Sequence, residues 1–347
     1  MIDRIVSEDI RQILSHNESE AFQDSSILVT GGGGFIGSYL CDTLVRTEAN
    51  VTCLDDFSTG VAENVSHLLK KRNFRIVRED VSSFKSDVSY DFILHFASRA
   101  SPEEYQLNPV KTLLANSHGS YRLLELARKH DSKILFASSS EVYGDAEVIP
   151  TPESYWGNVN PVGVRSCYDE SKRFGEALFM AFHREYELDT RIVRIHNTYG
   201  PRFRADNVFA RALSRFVRQA LENKDLTVYG DGTQTRSFCY VTDTITGILL
   251  ALVSPLSAGE VINIGSADEI RILDLAKKIK RIVGSKSKIT FKPLPDDDPR
   301  RRCPDIRKAS ELLGWHPNID LCTGLNRTID WFKNSMRRSI MQEVRKE

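Results

Sequence analysis

Short apolar runs rich in β-branched residues alternate with longer segments of helical period through the first two hundred residues. The runs occupy residues 27–30, 51–54, 74–77, 92–96, 133–137 and 191–195. Strands that alternate with helices at this cadence are typical of βαβ units, which form a parallel sheet covered by helices on both faces. The pattern therefore predicts an α/β, doubly wound parallel sheet over residues 25–200.

The pattern changes on both sides of this region. At residues 1–24 the apolar positions recur at roughly helical spacing, which predicts a short amphipathic helix packed on the body or on a partner subunit. After Tyr199-Gly200-Pro201 the alternation becomes irregular. We expect a smaller, partly interleaved lobe at residues 201–333 that closes over a ligand, and a solvated helix end at 334–347.

Composition narrows the class of protein. A chain of 347 residues with 41% hydrophobic and 27% charged residues is globular, and it is long enough for a large domain and a smaller one. Its 47 basic and 47 acidic residues balance, which disfavours nucleic-acid binding. The longest apolar stretch, 247–253, is far shorter than the ~20 residues of a membrane span.

The N-terminus and the cysteines indicate where in the cell the protein is found. The N-terminus carries charges and no apolar signal region, so we expect a soluble cytoplasmic protein. The six cysteines are scattered without a C-x-x-C pair, which indicates reduced thiols rather than a disulfide framework or a zinc site. We expect no bound metal.

A glycine-rich turn follows the first predicted strand. In ILVTGGGGFIG, the spacing G-x-x-G-x-x-G lets backbone amides and a helix N-terminus approach a pyrophosphate. This motif predicts dinucleotide binding by Gly31, Gly34, Phe35, Ile36 and Gly37.

Further cofactor contacts follow the later strands. Asp55 ends the second strand 18 residues beyond Gly37, where a carboxylate can bind a ribose 2′-hydroxyl and would repel a 2′-phosphate. NAD is therefore favoured over NADP. Asp80 and Val81 follow the third strand, where the adenine would lie, and Ala97 follows the fourth.

The reacting centre is predicted where Tyr168 and Lys172 lie four residues apart, on one face of a helix. An ammonium group and a cationic nicotinamide should lower the pKa of the tyrosine from about 10. Its phenolate could then take a proton from a substrate hydroxyl as hydride leaves the same carbon. Ser139 can bond the same substrate oxygen, whereas a structural role as a strand-end cap fits Ser138 better.

Together these motifs resemble the extended short-chain dehydrogenase/reductase superfamily, with its Rossmann-type sheet, over about residues 26–333. The resemblance narrows further to UDP-glucuronate decarboxylases, also called UDP-xylose synthases. It rests on the segments SSSEVYGD, PESYWGNVNPVGVRSCYDESKR, IHNTYGPR, LTVYGDGTQTRSF and DDDPRRRCPDI.

The resemblance implies roles for individual residues. Tyr168 and Lys172 would be catalytic, with Ser139 beside them and Glu141 acting near carbon 5 of the sugar. Arg302 would lie at the phosphates and the sugar. The nucleotide-diphosphate pocket would be lined by Asn197, Tyr229 and Arg236. Residues 110–130 and 168–186 would pair across a two-fold axis into a four-helix bundle, giving a homodimer.

The implied reaction oxidises carbon 4 of UDP-glucuronate, so that the ketone accepts the electrons released when the carboxylate leaves as carbon dioxide. NADH then reduces the 4-keto sugar. A 4,6-dehydratase would carry an aspartic acid at Ser140, so dehydration is disfavoured. Nothing in the sequence forbids a UDP-sugar 4-epimerase. A non-catalytic NAD-binding regulator is disfavoured because Tyr168, Lys172 and Glu141 are all present.

Four features depart from the decarboxylase pattern. Arg99 replaces a proline, and it could bind a carboxylate, bind a phosphate or alter the substrate. Cys239 and Cys303 replace a glutamine and a lysine. The loop at 203–211 is about two residues longer, and we expect Arg211 to keep its basic contact with the substrate.

Overall fold

The computed structural model describes residues 2–15, 17–204, 211–295 and 297–344. Most of the altered loop at 203–211 therefore lies outside the described residues, as does Asp296, the first residue of the segment DDDPRRRCPDI. The strands are β1 Ser26–Thr30, β2 Asn50–Leu54, β3 Phe74–Val77, β4 Phe92–His95, β5 Lys133–Ser139, β6 Thr190–Ile195, β7 Thr198–Tyr199, β8 Leu226–Tyr229, β9 Thr235–Ser237, β10 Cys239–Tyr240, β11 Val261–Ile264, β12 Glu269–Arg271, β13 Ile289–Lys292 and β14 Arg301–Arg302.

The helices complete the chain order. They are α1 Arg4–Leu14, α2 Phe35–Arg46, α3 Pro102–Leu107, α4 Pro109–Asn116, α5 His118–His130, α6 Ser166–Tyr186, α7 Ala212–Leu221, α8 Val241–Val253, α9 Ile272–Val283, α10 Arg307–Leu313 and α11 Leu321–Val344. Short 3₁₀ turns lie at Asn17–Phe22, Ala62–Asn64, Ser66–Lys70, Ser140–Tyr143 and Pro255–Ser257. Within the described ranges, no helix is both long enough and apolar enough to span a bilayer.

Seven of the described strands form one sheet, in the order β11-β6-β5-β4-β1-β2-β3, and every pair in it is parallel. The predicted doubly wound sheet is therefore confirmed. Its first six strands coincide with the six apolar runs to within two residues. The seventh, β11, comes from the region assigned to the smaller lobe, because the chain leaves the sheet after β6 and returns to its edge.

Alternate residues of the strands pack into two hydrophobic cores, one on each face of the sheet. Ile27 and Val29 join the core formed with α1, α2 and α8, whereas Leu28 joins the core formed with α5 and α6. Both faces of each central strand are thus buried, which is why these strands appear in the sequence as continuous apolar runs.

The N-terminal helix α1 packs on the body through Val6, Ile10 and Ile13, all at most 3% exposed. Its buried Asp9 accepts hydrogen bonds from the hydroxyls of Tyr39 on α2 and Tyr240 on β10, at 2.9 and 3.1 Å. Arg327 on α11 pairs with the same carboxylate at 2.7 Å. The helix therefore joins α2 and β10 to the C-terminal helix α11.

The region predicted as the smaller lobe contains short strands that lie outside the main sheet. Strands β12, β9 and β14 form one small sheet, and β13 pairs with β8. Arg302 on β14 lies opposite Arg236 on β9. This register brings two arginines from distant parts of the sequence next to each other.

The Asp9 cluster yields a stability prediction. Asp9→Ala should lower the free energy of unfolding by about 3 kcal/mol, because two buried hydroxyls and Arg327 lose their shared acceptor. Urea unfolding of both proteins measures the difference. The matched control is Asp330→Ala on α11, whose exposed carboxylate pairs with Lys333 at 3.5 Å and should contribute less than about 1 kcal/mol. Equal effects of the two substitutions would contradict the importance of the buried cluster.

Candidate active site

A cleft runs along the carboxyl ends of the central strands, as expected for an open parallel sheet. Of the residues predicted for the site, its wall contains Gly31, Gly34, Phe35, Ile36, Gly37, Asp55, Asp80, Val81, Ala97, Arg99, Ser139, Tyr168, Lys172, Asn197 and Arg211. Glu141, Tyr229, Arg236 and Arg302 do not line it. The structure thus brings the predicted cofactor and hydride-transfer residues into one cleft, and the remaining four are not part of its wall.

The glycine turn lets α2 begin directly against the end of β1. Gly31 has a φ of +70°, and a Cβ atom there would lie 2.7 Å from the carbonyl carbon of Phe96. A Cβ atom on Gly37 would lie 2.1 Å from the carbonyl oxygen of Gly31. Because neither position has room for a side chain, the first turn of α2 can line the cleft with backbone N–H groups, which fit the diphosphate of a dinucleotide.

Asp55 presents a fixed carboxylate at the end of β2. Its two oxygens accept hydrogen bonds from the backbone N–H groups of Gly33 and Phe57, at 2.8 and 2.7 Å. Burial raises the pKa of Asp55, and these two hydrogen bonds oppose the rise. An acceptor group held in this position fits the ribose hydroxyls of NAD.

Tyr168 and Lys172 are both buried in the first half of α6. The Lys172 ammonium group donates a hydrogen bond to the carbonyl oxygen of Ala137 at 2.7 Å, and burial lowers the pKa of Lys172 to about 7. Burial raises the pKa of Tyr168 to about 12, against the opposing effects of Arg211 and of a hydrogen bond with Ser139.

The expected lowering of the Tyr168 pKa is therefore not produced by the protein groups alone. The physical reason is that removing water from a phenolate outweighs the nearby positive charge. When NAD is bound, its oxidised nicotinamide supplies the hydride acceptor and a further positive charge.

The serines after β5 have different surroundings. Ser138 also lines the cleft, but its hydroxyl donates a hydrogen bond to the Glu176 carboxylate at 2.5 Å. Ser139 lines the cleft and also accepts a hydrogen bond from the backbone N–H of Glu141 at 3.4 Å. Both serines thus have a structural partner, and Ser139 is the one that is also near Tyr168.

Glu141 lies in a buried cluster of charges beside the cleft. Its carboxylate pairs with Arg165 at 2.7 Å and with Arg302. Burial opposes ionisation of Glu141, but the two arginines outweigh that effect and lower the pKa of Glu141 to about 2. Arg302, which the resemblance assigns to the phosphates and the sugar, is here a partner of the predicted catalytic carboxylate.

Two further predicted substrate residues that do not line the cleft, Arg236 and Tyr229, also lie in the region of the smaller lobe. Arg236 pairs with Asp298 at 3.0 Å, and the Arg215 guanidinium lies 4.7 Å from the centre of the Tyr229 ring. Asn197 and Arg211, by contrast, reach the cleft wall, where Arg211 donates a hydrogen bond to the carbonyl oxygen of Ala100 at 2.7 Å.

Sequence reasoning missed Arg165, Asp169 and Tyr105. Arg165 is 6% exposed, and its guanidinium lies 3.9 Å from both Asp169 and Asp298, in addition to its bond with Glu141. The Tyr105 ring stacks on Tyr168, with 5.1 Å between ring centres. Arg165 and Asp169 lie four residues apart on either side of Tyr168, so helical spacing could have identified them as neighbours.

Two carboxyl groups in this cluster differ in protonation. Burial and the charge of Glu141 raise the pKa of Asp169 to about 7, whereas the two arginines keep Glu141 ionised. Geometry agrees with this division, because Arg165 is in hydrogen-bond contact with Glu141 but not with Asp169. Near neutral pH the cluster therefore contains a carboxylate and a carboxyl group that can hold a proton.

Comparison with known proteins identifies the family. The family model described as "NAD dependent epimerase/dehydratase family" matches residues 27–265, which contain the glycine turn, Tyr168 and Lys172. The chain belongs to this NAD-dependent epimerase/dehydratase family. It is therefore an enzyme of an NAD-using family, and NAD is its cofactor. Among the described residues no group of three metal-binding side chains is close enough to hold a metal ion.

Relatives and solved structures within the family extend over nearly the whole chain. UDP-glucuronic acid decarboxylase 1 of Danio rerio is 45% identical over 310 residues, 89% of this chain and 73% of that protein. An epimerase from Methanothermobacter thermautotrophicus has the same fold with a TM-score of 0.85 at 28% identity, covering 94% and 96% of the two chains.

A third comparison includes bound ligands. UDP-glucuronic acid 4-epimerase from Bacillus cereus, solved in complex with UDP-glucuronic acid and NAD, has a TM-score of 0.79 at 32% identity. The match covers 89% of this chain and 99% of that one. These comparisons confirm the resemblance and the fold class that were predicted from the sequence of the present chain.

The charge cluster yields a pH prediction. Because the pKa of Glu141 lies at about 2 in the folded protein and near 4.5 ordinarily, its ion pairs stabilise the fold fully above pH 4.5. That stability is lost as the pH falls towards 2. Arg165→Met should destabilise the protein at pH 7, and the difference from the unsubstituted protein should narrow below pH 4.5, when Glu141 of the variant takes up a proton.

Urea unfolding at several pH values measures this difference. Arg165→Lys is the matched control, since it keeps a positive charge beside Glu141 and should restore part of the stability. A destabilisation by Arg165→Met that is the same at every pH would mean that Arg165 contributes by packing rather than by charge.

Proposed function

We propose that this enzyme decarboxylates UDP-glucuronate to UDP-xylose through a 4-keto intermediate. The observation that carries the proposal is the 45% identity over 310 residues to a UDP-glucuronic acid decarboxylase. That match covers 89% of this chain.

The first step oxidises carbon 4 of the sugar, removing a proton from the 4-hydroxyl group and a hydride from carbon 4. Tyr168, as the phenolate, accepts the proton of the 4-hydroxyl, and Ser139 hydrogen-bonds to the same oxygen. Lys172 is held against the carbonyl oxygen of Ala137, from where its charge stabilises the phenolate. General-base assistance of this kind accelerates a reaction by about 10²–10⁴-fold.

The second step uses the new ketone as an electron sink. The bond between carbon 5 and the carboxylate breaks, carbon dioxide leaves, and the electron pair forms an enolate whose oxygen is stabilised by Ser139 and Tyr168. Glu141, ionised between Arg165 and Arg302, orients a water that delivers a proton to carbon 5, and the hydroxide that is left takes up a proton from the solvent. NAD, held by the glycine turn and Asp55, would accept the hydride of the first step and would return it to carbon 4 to complete the UDP-pentose.

The nucleotide half of the substrate would lie towards the lobe. Asn197 and Arg211 extend the cleft wall in that direction. Arg236 and Arg302 lie opposite each other on β9 and β14, and guanidinium groups in such an arrangement match a diphosphate. We assign these four residues, with Tyr229, to substrate binding.

A UDP-sugar 4-epimerase is the second candidate, and its support is the structural likeness to the Bacillus cereus enzyme crystallised with UDP-glucuronic acid. That enzyme and the proposed decarboxylase would share a substrate, so the product distinguishes them. A dehydratase is disfavoured because Ser140, which is buried, has no carboxyl group to expel a hydroxyl.

The deciding test incubates the purified protein with UDP-glucuronate and NAD and analyses the products by mass spectrometry. We expect a UDP-pentose that has lost carbon dioxide. Tyr168→Phe should reduce turnover by about 10²–10⁴-fold while NAD still binds, because the fold and the glycine turn are untouched. A product of unchanged mass and altered retention would identify an epimerase, and full activity of Tyr168→Phe would refute the mechanism.

We also propose a homodimer formed through α4 and α6. Several apolar side chains on these helices remain 36–65% exposed, namely Val110, Leu113, Leu114 and Phe174, whereas Leu123, Leu124 and Phe182 of the predicted faces are buried within the subunit. Pairing α4 and α6 across a two-fold axis would cover the exposed set in a four-helix bundle.

Phe174→Glu should therefore give a monomer in light scattering coupled to size-exclusion chromatography, because it puts a charge into the proposed apolar interface. Leu256→Glu is the control, since Leu256 is also exposed but lies on neither helix. A dimer that survives Phe174→Glu, or dissociates equally with Leu256→Glu, would rule out this interface.

We further place the enzyme in the cytoplasm. All six cysteines are free thiols. A full set of unpaired cysteines fits a reducing compartment.

A further inference from the structure

Arg99 reaches across the cofactor cleft rather than towards the catalytic tyrosine. It follows β4, is 7% exposed, and lies on the cleft wall. Its guanidinium donates a hydrogen bond to the hydroxyl of Ser58 at 2.9 Å, in the loop that follows Asp55 at the end of β2. The Asp56 carboxylate is 4.0 Å away, which is too far for a hydrogen bond.

The order of the strands in the sheet shows that the Arg99 side chain passes over the carboxyl end of β1. β1 lies between β4 and β2 in the sheet. A side chain that joins the loop after β4 to the loop after β2 must therefore pass the carboxyl end of β1, where the glycine turn begins. Ser139 and Tyr168 are on the opposite side of β4, because they follow β5 and lie on α6.

A second arginine holds the same loop from another direction. Arg204 donates a hydrogen bond to the carbonyl oxygen of Thr59 at 3.3 Å and pairs with Glu104 on α3. Beside it, the Phe203 ring contacts Phe35 in the first turn of α2, with 5.2 Å between ring centres. Adjacent residues of the loop at 56–60 are thus tied to two separate segments of the chain. We call Arg99, Arg204 and this loop the arginine clasp.

The charges of the clasp suit a dinucleotide. The Asp55 carboxylate already accepts two backbone hydrogen bonds, and Arg99 has a neutral hydroxyl as its hydrogen-bond partner. A diphosphate lying against the glycine turn would bring negative charge directly under the Arg99 guanidinium, whose planar N–H groups match phosphate oxygens.

We propose that Arg99 binds the diphosphate of NAD rather than the sugar substrate, and that the arginine clasp controls the release of the cofactor. The proposal rests on the NAD-binding cleft and does not depend on which sugar nucleotide the enzyme converts.

The test measures cofactor release without turnover. Protein loaded with NADH is mixed with a large excess of NAD, and the decay of bound-NADH fluorescence gives the dissociation rate. Arg99→Met should raise this rate by about 10- to 100-fold, as expected for the loss of a hydrogen bond to a charged group. Arg99→Lys, which keeps the charge, should restore part of the retention and also shows that the site tolerates substitution.

Further variants separate the two parts of the clasp. Arg204→Met should raise the release rate through the loop alone, and Ser58→Ala should raise it less than Arg99→Met does. The effect of Arg99→Met should shrink as salt concentration rises, because a direct contact with the diphosphate is ionic. Arg307→Met is the matched control, since that arginine is exposed and pairs with Asp305 in the lobe.

An unchanged NADH release rate in Arg99→Met or in Arg204→Met would overturn the proposal. So would a raised KM for the UDP-sugar in Arg99→Met at saturating NAD with NADH release unaffected, because Arg99 would then belong to the sugar site. Neither result bears on decarboxylation itself, which is decided by the mass of the product.

Discussion

The close approach of Gly37 to the carbonyl oxygen of Gly31 determines how the cofactor cleft is arranged. With no side chain between them, α2 starts at the very end of β1, and its first turn forms the floor of the cleft. The loops after β2 and β4 can then meet above that floor from either side. Any larger residue at position 37 would push the helix away from the strand and separate those loops. The cofactor site and the clasp above it both depend on this single contact.

On the side of the cleft that contains Tyr168, the desolvation of buried side chains strongly influences their protonation states. Burial favours the neutral forms of Tyr168 and Lys172, so the positive charge of the oxidised nicotinamide becomes important for forming the phenolate. Glu141, in contrast, stays in its charged form, because Arg165 and Arg302 pair with it and lower its pKa. In the proposed reaction, proton transfer to Tyr168 would therefore depend on the oxidation state of the cofactor, whereas the Glu141 carboxylate would stay charged throughout.

The sequence was sufficient for the features that depend on local pattern. Strands buried on both faces give apolar runs, and the glycine turn and the Tyr168–Lys172 pair each lie within one short segment. The contacts of Glu141 were not predictable in this way. They join a turn after β5, the start of α6 and a strand of the lobe, and only the tertiary fold brings Arg165 and Arg302 together. The direction of Arg99 likewise depends on the strand order, which its own segment does not reveal.

Slow release of the cofactor, which the arginine clasp would cause, is compatible with the proposed reaction. In a reaction that returns the hydride to the same substrate, NAD is regenerated within every cycle, so the cofactor has no need to leave. Slow release then has no effect on turnover, and holding the cofactor prevents loss of NADH while the 4-keto sugar is still oxidised. An enzyme that passed its hydride to a separate acceptor would instead be limited by such a clasp. Decarboxylation and 4-epimerisation both return the hydride, and two arginines that tie the loop at 56–60 over the glycine turn are consistent with either outcome.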